Sequence, residues 1–177
     1  MKTETAAIAA PTIFTRTNLF YITIFALPMI THGPQLLIGT AVNLFLFMGA
    51  KKLTEKELVM LAILPSIGAI VNGALFGSLT NFLLYFTPAI WLSNFLLMAV
   101  FKKTSKFPGI VRVMIASLIK AVLLYSVALA LFQFDYVPKI FLTAMGSFQL
   151  MTAVAGGFLA LGANKLNLLD EKKATND

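Results

Sequence analysis

Residues 110–132 read IVRVMIASLIKAVLLYSVALALF, an almost wholly apolar run with a single lysine, Lys120, near its middle. The run exceeds the roughly 20 residues that an α-helix needs to cross the hydrocarbon core of a bilayer. Its only other charged residue is Arg112, close to the start of the run. The stretch therefore predicts a transmembrane helix that carries a lysine near the centre of the membrane.

Five further apolar segments surround this run, separated by polar or turn-forming residues. They lie at about residues 18–31, 35–50, 58–76, 81–101 and 139–162. The whole chain is 59% hydrophobic and 12% charged, whereas a soluble domain has about 25% charged residues. A soluble globule and a disordered chain are both excluded. We predict an all-α polytopic membrane protein: a segment 1–17, a six-helix transmembrane domain 18–163 and a polar tail 164–177.

The first two segments are short, and His32-Gly33-Pro34 separates them. Proline disfavours helix at the residue before it, so this tripeptide predicts a turn between two helices. A single kinked crossing over residues 18–50 is the alternative. It would leave five helices and place the N-terminus outside. Lys2 and Arg16 favour the hairpin.

The basic residues are distributed very unequally between the two predicted sides of the membrane. Of the 14 lysines and arginines, only Lys139 falls on the side opposite the termini, and Lys120 lies inside a helix. Positively charged loops remain in the cytoplasm, which predicts that both termini are cytoplasmic. The net charge of +7 then reflects topology and attraction to the lipid bilayer rather than binding of nucleic acid. The expected location is the cytoplasmic (inner) membrane of a prokaryote.

Several chemistries lack their residues in this sequence. There is no cysteine, and His32 is the only histidine, so thiolate sites, disulfides and multi-histidine metal sites are excluded within the chain. No GxSxG, HExxH or phosphate-binding Gly-Lys-Ser/Thr motif occurs. All seven acidic residues fall in predicted loops or tails. We therefore expect no enzyme activity, no cofactor and no metal.

Lys120 is the principal candidate for a functional residue. An ionised side chain at the membrane centre costs about 2.5–3.5 kcal/mol on insertion scales. No predicted helix supplies an acidic residue at that depth. Lys120 is then neutral, or bonded to amides, carbonyls or water, or neutralised from outside the chain. An anionic small-molecule solute would supply that counter-ion.

Other polar and aromatic residues are placed near Lys120 by depth alone. Asn43, Asn94 and Gln149 lie near the middle of their helices, and a buried amide needs a partner, so one of them can hold Lys120. Trp91 and Tyr125 lie deeper than an interfacial belt requires and are candidates for stacking on a solute. Ordinary packing and interhelical hydrogen bonding are the alternative for each. The predicted substrate-binding residues are Lys120, Gln149, Tyr125, Trp91, Asn94 and Asn72.

Two further patterns concern helix packing. Ala69, Gly73 and Gly77 form a small-xxx-small stripe, and Ala153, Gly156, Gly157 and Ala160 form another, which favours close helix contact. Residues 43–52 also align without gaps on residues 94–103, each beginning with asparagine and ending with two lysines. This pattern indicates either an internal repeat or a chance match between leucine-rich helices.

The six predicted helices, the cytoplasmic termini and the glycine-rich stretch PSIGAIVNGALFGSLT at residues 65–80 together resemble the substrate-binding S component of energy-coupling factor (ECF) transporters. The resemblance implies a solute site in the outer half of the bundle, a transmembrane coupling subunit and two cytoplasmic ATPases. One feature departs from the family. The Ala-xxx-Ala pair common on the first helix is absent, since Ile30 lies four residues after Ala26.

The sequence thus favours a membrane subunit that binds a small solute for uptake. The alternative is a non-transport scaffold or assembly protein that docks partners through its small-residue helix faces. An intramembrane enzyme is least favoured, because no nucleophile and base are paired in the sequence.

Overall fold

The computed structural model describes residues 15–31, 34–73 and 77–174, and every regular element within these ranges is helical. The elements are α1 (Arg16–Ile30), α2 (Gln35–Lys52), α3 (Glu55–Asn72), a 3₁₀ turn (Gly77–Phe82), α4 (Leu83–Lys103), α5 (Gly109–Gln133), α6 (Ile140–Met145) and α7 (Ser147–Ala174). The all-α prediction is confirmed. His32, Gly33 and the first 14 residues lie outside the described ranges.

Side-chain contacts show that consecutive long helices alternate in direction. Thr17 at the start of α1 donates to Glu57 at the start of α3, so these two helices run parallel. Asn94 of α4 contacts Ala62 of α3 while Trp91 contacts Ser66, so these two helices are antiparallel. Arg112 near the start of α5 contacts the last turn of α4, so these two are antiparallel as well. The bundle therefore has one end that carries Lys51, Lys52, Lys102, Lys103 and Arg112, here called the lysine-rich end. The other, here called the opposite end, carries Gln35, Asn72 and Leu83.

Phe101 is the centre of the packing at the lysine-rich end. Its buried ring makes an edge contact with Phe47, at 5.0 Å between centroids, and lies 4.1 Å from the Arg112 guanidinium carbon. Arg112 also donates from Nε and Nη2 to the Phe101 carbonyl oxygen, at 3.0 and 2.6 Å. That carbonyl is in the last turn of α4, where intrahelical donors are missing and the helix dipole favours a cation. Arg112 thus joins α5 to α4.

Three helices of the described chain are long and apolar enough to cross a membrane. They span Leu79–Lys103, Gly109–Gln133 and Ile140–Ala163, and Thr17–Ile30 is a shorter apolar helix. Large apolar side chains such as Leu37, Leu118 and Val122 are more than half exposed on the outside of the bundle. Soluble monomers rarely expose apolar surface continuously, so these faces are suited to lipid.

The small residues of α7 are used inside the bundle. A Cβ atom at Gly156 would lie 2.6 Å from the Thr40 carbonyl oxygen and 2.7 Å from the Leu44 nitrogen, both in the backbone of α2. At Gly157 it would collide with the side chains of Val113 and Phe47. The packing prediction for this stripe is confirmed. It lets α7 lie directly against α2.

Two predicted helix boundaries are wrong. The third helix, predicted to reach residue 76, ends at Asn72 because Gly73 adopts a left-handed conformation, with φ +65°, that terminates it. The sixth helix, predicted over residues 139–162, is interrupted at Gly146, where φ and ψ are −97° and −96°, and its second part continues to Ala174. Two separate helices occupy residues 16–52, as the predicted hairpin requires.

Candidate functional site

Lys120 lies inside the bundle and is held by two amide groups. Its side chain is 3% exposed. Nζ donates to Oδ1 of Asn43 in α2 at 2.8 Å and to Oδ1 of Asn94 in α4 at 2.7 Å. The expectation that a buried amide holds this lysine is confirmed, and two amides share the task.

Each asparagine is oriented by bonds on its other side. Asn43 Nδ2 donates to the Gly39 carbonyl oxygen at 2.8 Å and to Thr152 Oγ1 at 3.2 Å. Asn94 Nδ2 donates to the Ala62 carbonyl oxygen at 3.0 Å. Since an amide presents its donor and its acceptor in opposite directions, these bonds turn both oxygens toward Lys120. The network joins α2, α3, α4, α5 and α7.

Lys120 retains bonding capacity beyond the two asparagines. An ammonium group has three N–H donors, and the asparagines accept two of them. Over the ranges that the structure describes, no carboxylate forms an ion pair with Lys120. A charged Lys120 therefore has a donor to offer and no counter-ion in that part of the chain.

Lys120 lines a cavity of about 90 Å³ that extends from the middle of the bundle to the opposite end. Its polar lining residues are Lys120, Asn43, Asn94, Ser66, Gln35 and Gln149. Its apolar walls are formed by Pro28, Ile38, Val42, Pro65, Ala69, Leu83, Ile90 and Met145, with Gly39 completing the lining. The cavity thus has the Lys120 amino group at its inner end, apolar walls, and glutamines toward the opposite end.

The cavity volume limits what it can hold. At about 90 Å³, the cavity has room for several water molecules or a small solute. Sites for drug-sized ligands are larger, about 300–1,000 Å³. A larger solute would require the helices to move apart.

Three of the six predicted site residues line the cavity: Lys120, Asn94 and Gln149. The Gln149 side-chain amide forms no hydrogen bond with any residue in the described ranges. The backbone carbonyl of Gln149 accepts one from the Thr152 hydroxyl. The side chain is half-buried and available to a solute. This residue was placed by depth alone, and the structure brings it to the same cavity as Lys120.

The other three predicted residues lie elsewhere. Trp91 is in a groove between α3 and α4, outside the cavity, and its Nε1 donates to Ser66 Oγ at 2.6 Å. Tyr125 is 44% exposed and packs beside Gly146. Asn72 Nδ2 donates to the carbonyls of Pro28 and Thr31 at 3.0 and 3.3 Å, and so satisfies the end of α1. None of these three side chains lines the cavity.

The predicted substrate-binding residues omit Ser66 and Gln35, both of which line the cavity. A signal for Ser66 exists in the internal alignment, which continues after a three-residue insertion with Val59-Met-Leu-Ala62 on Val113-Met-Ile-Ala116. The same register pairs Ser66 with Lys120. Asn43 and Asn94 are paired at the start of the same alignment, and both bind Lys120. The aligned polar positions therefore converge on one cavity.

Within the described residues, no group of three histidine, cysteine, aspartate or glutamate side chains is arranged to hold a metal ion. Comparison with protein-family models, with curated proteins and with solved structures finds no match to this chain.

Proposed function

We propose that this chain is an integral membrane subunit that binds a small anionic solute for uptake. The observation that carries the proposal is the Lys120 site. A buried lysine is held by two asparagines at the inner end of a cavity, without an acidic partner in the described ranges. Burying a cation stably requires a compensating charge or a full set of hydrogen bonds. A solute carboxylate or similar anion would provide the missing charge.

The proposed topology has six membrane crossings and both termini in the cytoplasm. The alternating helix directions support it, as does the concentration of lysines and Arg112 at one end of the bundle. In that orientation the opposite end faces outward, and the cavity extends toward the side from which a solute arrives. The proposed location is the cytoplasmic membrane.

The cavity favours a very small solute. Lys120 and the unpaired Gln149 amide supply donors at separate positions, and the walls between them are apolar. A short carboxylate, with its oxygens directed to Lys120 and its carbons along Val42 and Ile90, matches this distribution of polar and apolar groups.

The proposed role as an ECF S component rests on architecture. A cavity in the half of the bundle away from the lysine-rich end agrees with the site expected of that family. Such a subunit would need a transmembrane coupling protein and cytoplasmic ATPases for transport. The usual alanine pair on the first helix is missing here, and Ile30 is exposed at that position, so contact with a coupling protein would use a different surface.

The direct test is native mass spectrometry of the purified protein, searching for a co-purifying small molecule. Wild type is expected to carry a bound anion, and Lys120→Met is expected to lose it. Ser117→Ala is the matched control, because Ser117 is buried one turn from Lys120 and its hydroxyl has no hydrogen-bond partner among the described residues. Retention of the molecule by Lys120→Met would remove Lys120 from the site.

The scaffold alternative is less well supported. Gly156 and Gly157 are covered by α2 and α5, and Ala69 lines the cavity, so these small residues are not free to dock a partner. Purification from gently solubilised membranes separates the two functions. Co-purifying ATPases favour the transport subunit, whereas a stable complex without an ATPase favours the scaffold.

A further inference from the structure

A groove on the outside of the bundle follows the seam between α3 and α4. It consists of two adjoining spaces of about 220 and 290 Å³, both of which include Phe95 in their lining. The space nearer the lysine-rich end is completed by Glu55, Leu58, Ala99, Lys102 and Lys103. The inner space is completed by Val59, Ala62, Ile63, Trp91 and Leu92.

The mouth of the groove is positively charged. Two lysines face one carboxylate there, that of Glu55, and no ion pair joins them to a carboxylate within the described ranges. Lys102 Nζ has one long contact, 3.5 Å, to the Leu53 carbonyl oxygen. Both lysines are exposed. An anion at the mouth would therefore meet cations with free donors.

The inner space is almost entirely apolar. Its one polar side-chain group is the Trp91 indole N–H, which already donates to Ser66. An extended peptide there would leave its backbone groups unpaired, at a cost for each, whereas a hydrocarbon chain would not. The groove thus suits a molecule with an anionic head and an apolar chain.

The length of the groove agrees with a lipid. From Lys103 to Trp91 is 12 residues of α4, or about 18 Å at 1.5 Å per residue. Half of a bilayer hydrocarbon core is about 15 Å. We infer that an anionic phospholipid binds in this groove, with its phosphate at Lys102 and Lys103 and an acyl chain along Phe95 to Trp91.

The lipid would contact the residues that support the central site. Trp91 donates to Ser66, which lines the cavity, and the Ala62 carbonyl orients Asn94, which holds Lys120. A chain in the groove would cover Trp91 and Ala62 from outside. The lipid site does not depend on the proposed solute, because it rests on a different surface.

Trp91 is the only tryptophan in the chain, so its fluorescence reports the inner groove specifically. The protein is reconstituted in phosphatidylcholine vesicles that contain phosphatidylglycerol. Two preparations are compared, one with dibrominated phosphatidylglycerol and one with dibrominated phosphatidylcholine. The bromines lie near the ends of the acyl chains, and the mole fraction of brominated lipid is the same in both. Brominated phosphatidylglycerol is expected to quench Trp91 with a relative affinity at least about fivefold higher, the factor that one lysine near an anionic lipid contributes.

Charge-removal variants locate the headgroup. The double substitution Lys102→Gln with Lys103→Gln is expected to abolish the preference for phosphatidylglycerol. The matched control, Lys56→Gln with Lys106→Gln, removes the same charge from exposed positions at the same end and is expected to keep it. Circular dichroism of each variant confirms that the helices are retained.

Three results would overturn the inference. Equal quenching of wild type by both lipid classes would make the groove an ordinary lipid-facing surface. Absence of quenching by either class would mean that something else covers it, such as an acidic segment of a partner protein. A preference that survives removal of both Lys102 and Lys103 charges would place the headgroup elsewhere.

Discussion

Lys120 shows how far a single residue can be interpreted from sequence. Its isolation is visible because nearly every surrounding position is apolar and no acid lies at its depth. Its partners are harder to identify, since depth follows from counting residues but the rotation of each helix does not. Asn43, Asn94 and Gln149 face the cavity, whereas Trp91 and Tyr125, at comparable depths, do not.

Substituting either asparagine should destabilise the protein more than substituting an ordinary polar residue of the same helix. Asn94→Ala is expected to destabilise the protein by about 1–3 kcal/mol, because the buried Lys120 loses one of its two amide partners and the Ala62 carbonyl loses its side-chain donor. Thr87→Ala is the control, since Thr87 donates only to Leu83 in its own helix. Thermal unfolding in detergent measures both. Equal effects would mean that the Lys120 network adds little stability.

Glu57 lies at the lysine-rich end, just before the apolar segment that begins at residue 58. We expect its carboxyl group to make the stability of the fold depend on pH. Hydrogen bonds from Thr54 and then Thr17 lower the pKa of its carboxyl below the ordinary value of 4.5. Because the pKa is lower in the folded state, the carboxylate stabilises the fold at pH values above its pKa in the unfolded state. This contribution is lost as the pH falls through its pKa in the folded state.

The comparison that isolates this effect is wild type against Glu57→Gln. The melting temperature of the variant is expected to be lower at pH 7, and the difference is expected to shrink as the pH falls below 4.5. Lys56→Gln, an exposed neighbour, serves as the control for charge change. A difference that stays constant over this range would contradict the role of the Glu57 carboxylate.

At the scale of the helices, apolar runs predict that a helix exists and which way it runs better than they predict the residues at which it begins and ends. α5 is observed at Gly109–Gln133 and was predicted at residues 110–132, because charged or turn-forming residues bound the run. The apolar run after Asn72 continues without a polar signal, yet Gly73 ends α3. The break at Gly146 is equally hidden, since it depends on a backbone angle within a continuous apolar stretch.

The contact between α2 and α7 depends on Gly156. Gly156→Ala is expected to cost about 1–3 kcal/mol, because its Cβ would meet the backbone of α2, which cannot rotate away. Gly162→Ala is the matched control, since a Cβ there has no neighbour within 4 Å. Thermal unfolding compares the two variants. An unchanged Gly156→Ala midpoint would mean that α2 and α7 pack less closely than the structure shows.

At the scale of the whole molecule, the proposed topology rests on the concentration of basic residues at one end of the bundle. The chain has no cysteine, so single cysteines can be introduced without a background. In intact cells, a membrane-impermeant maleimide is expected to label Asp135→Cys and not Ser105→Cys. Permeabilised cells should label both. Labelling of Ser105→Cys in intact cells would invert the proposed orientation.

The central claim is that an anion from outside the chain neutralises Lys120. It is tested most directly by introducing a counter-ion within the chain and measuring whether the bound molecule is lost. Asn43→Asp places a carboxylate where Oδ1 now lies 2.8 Å from Lys120 Nζ, and the Thr152 hydroxyl is close enough to donate to it. If a solute anion normally occupies the site, native mass spectrometry will show wild type with a bound small molecule and folded Asn43→Asp without it. Retention of the molecule by Asn43→Asp, or its absence from wild type, would contradict a solute counter-ion for Lys120.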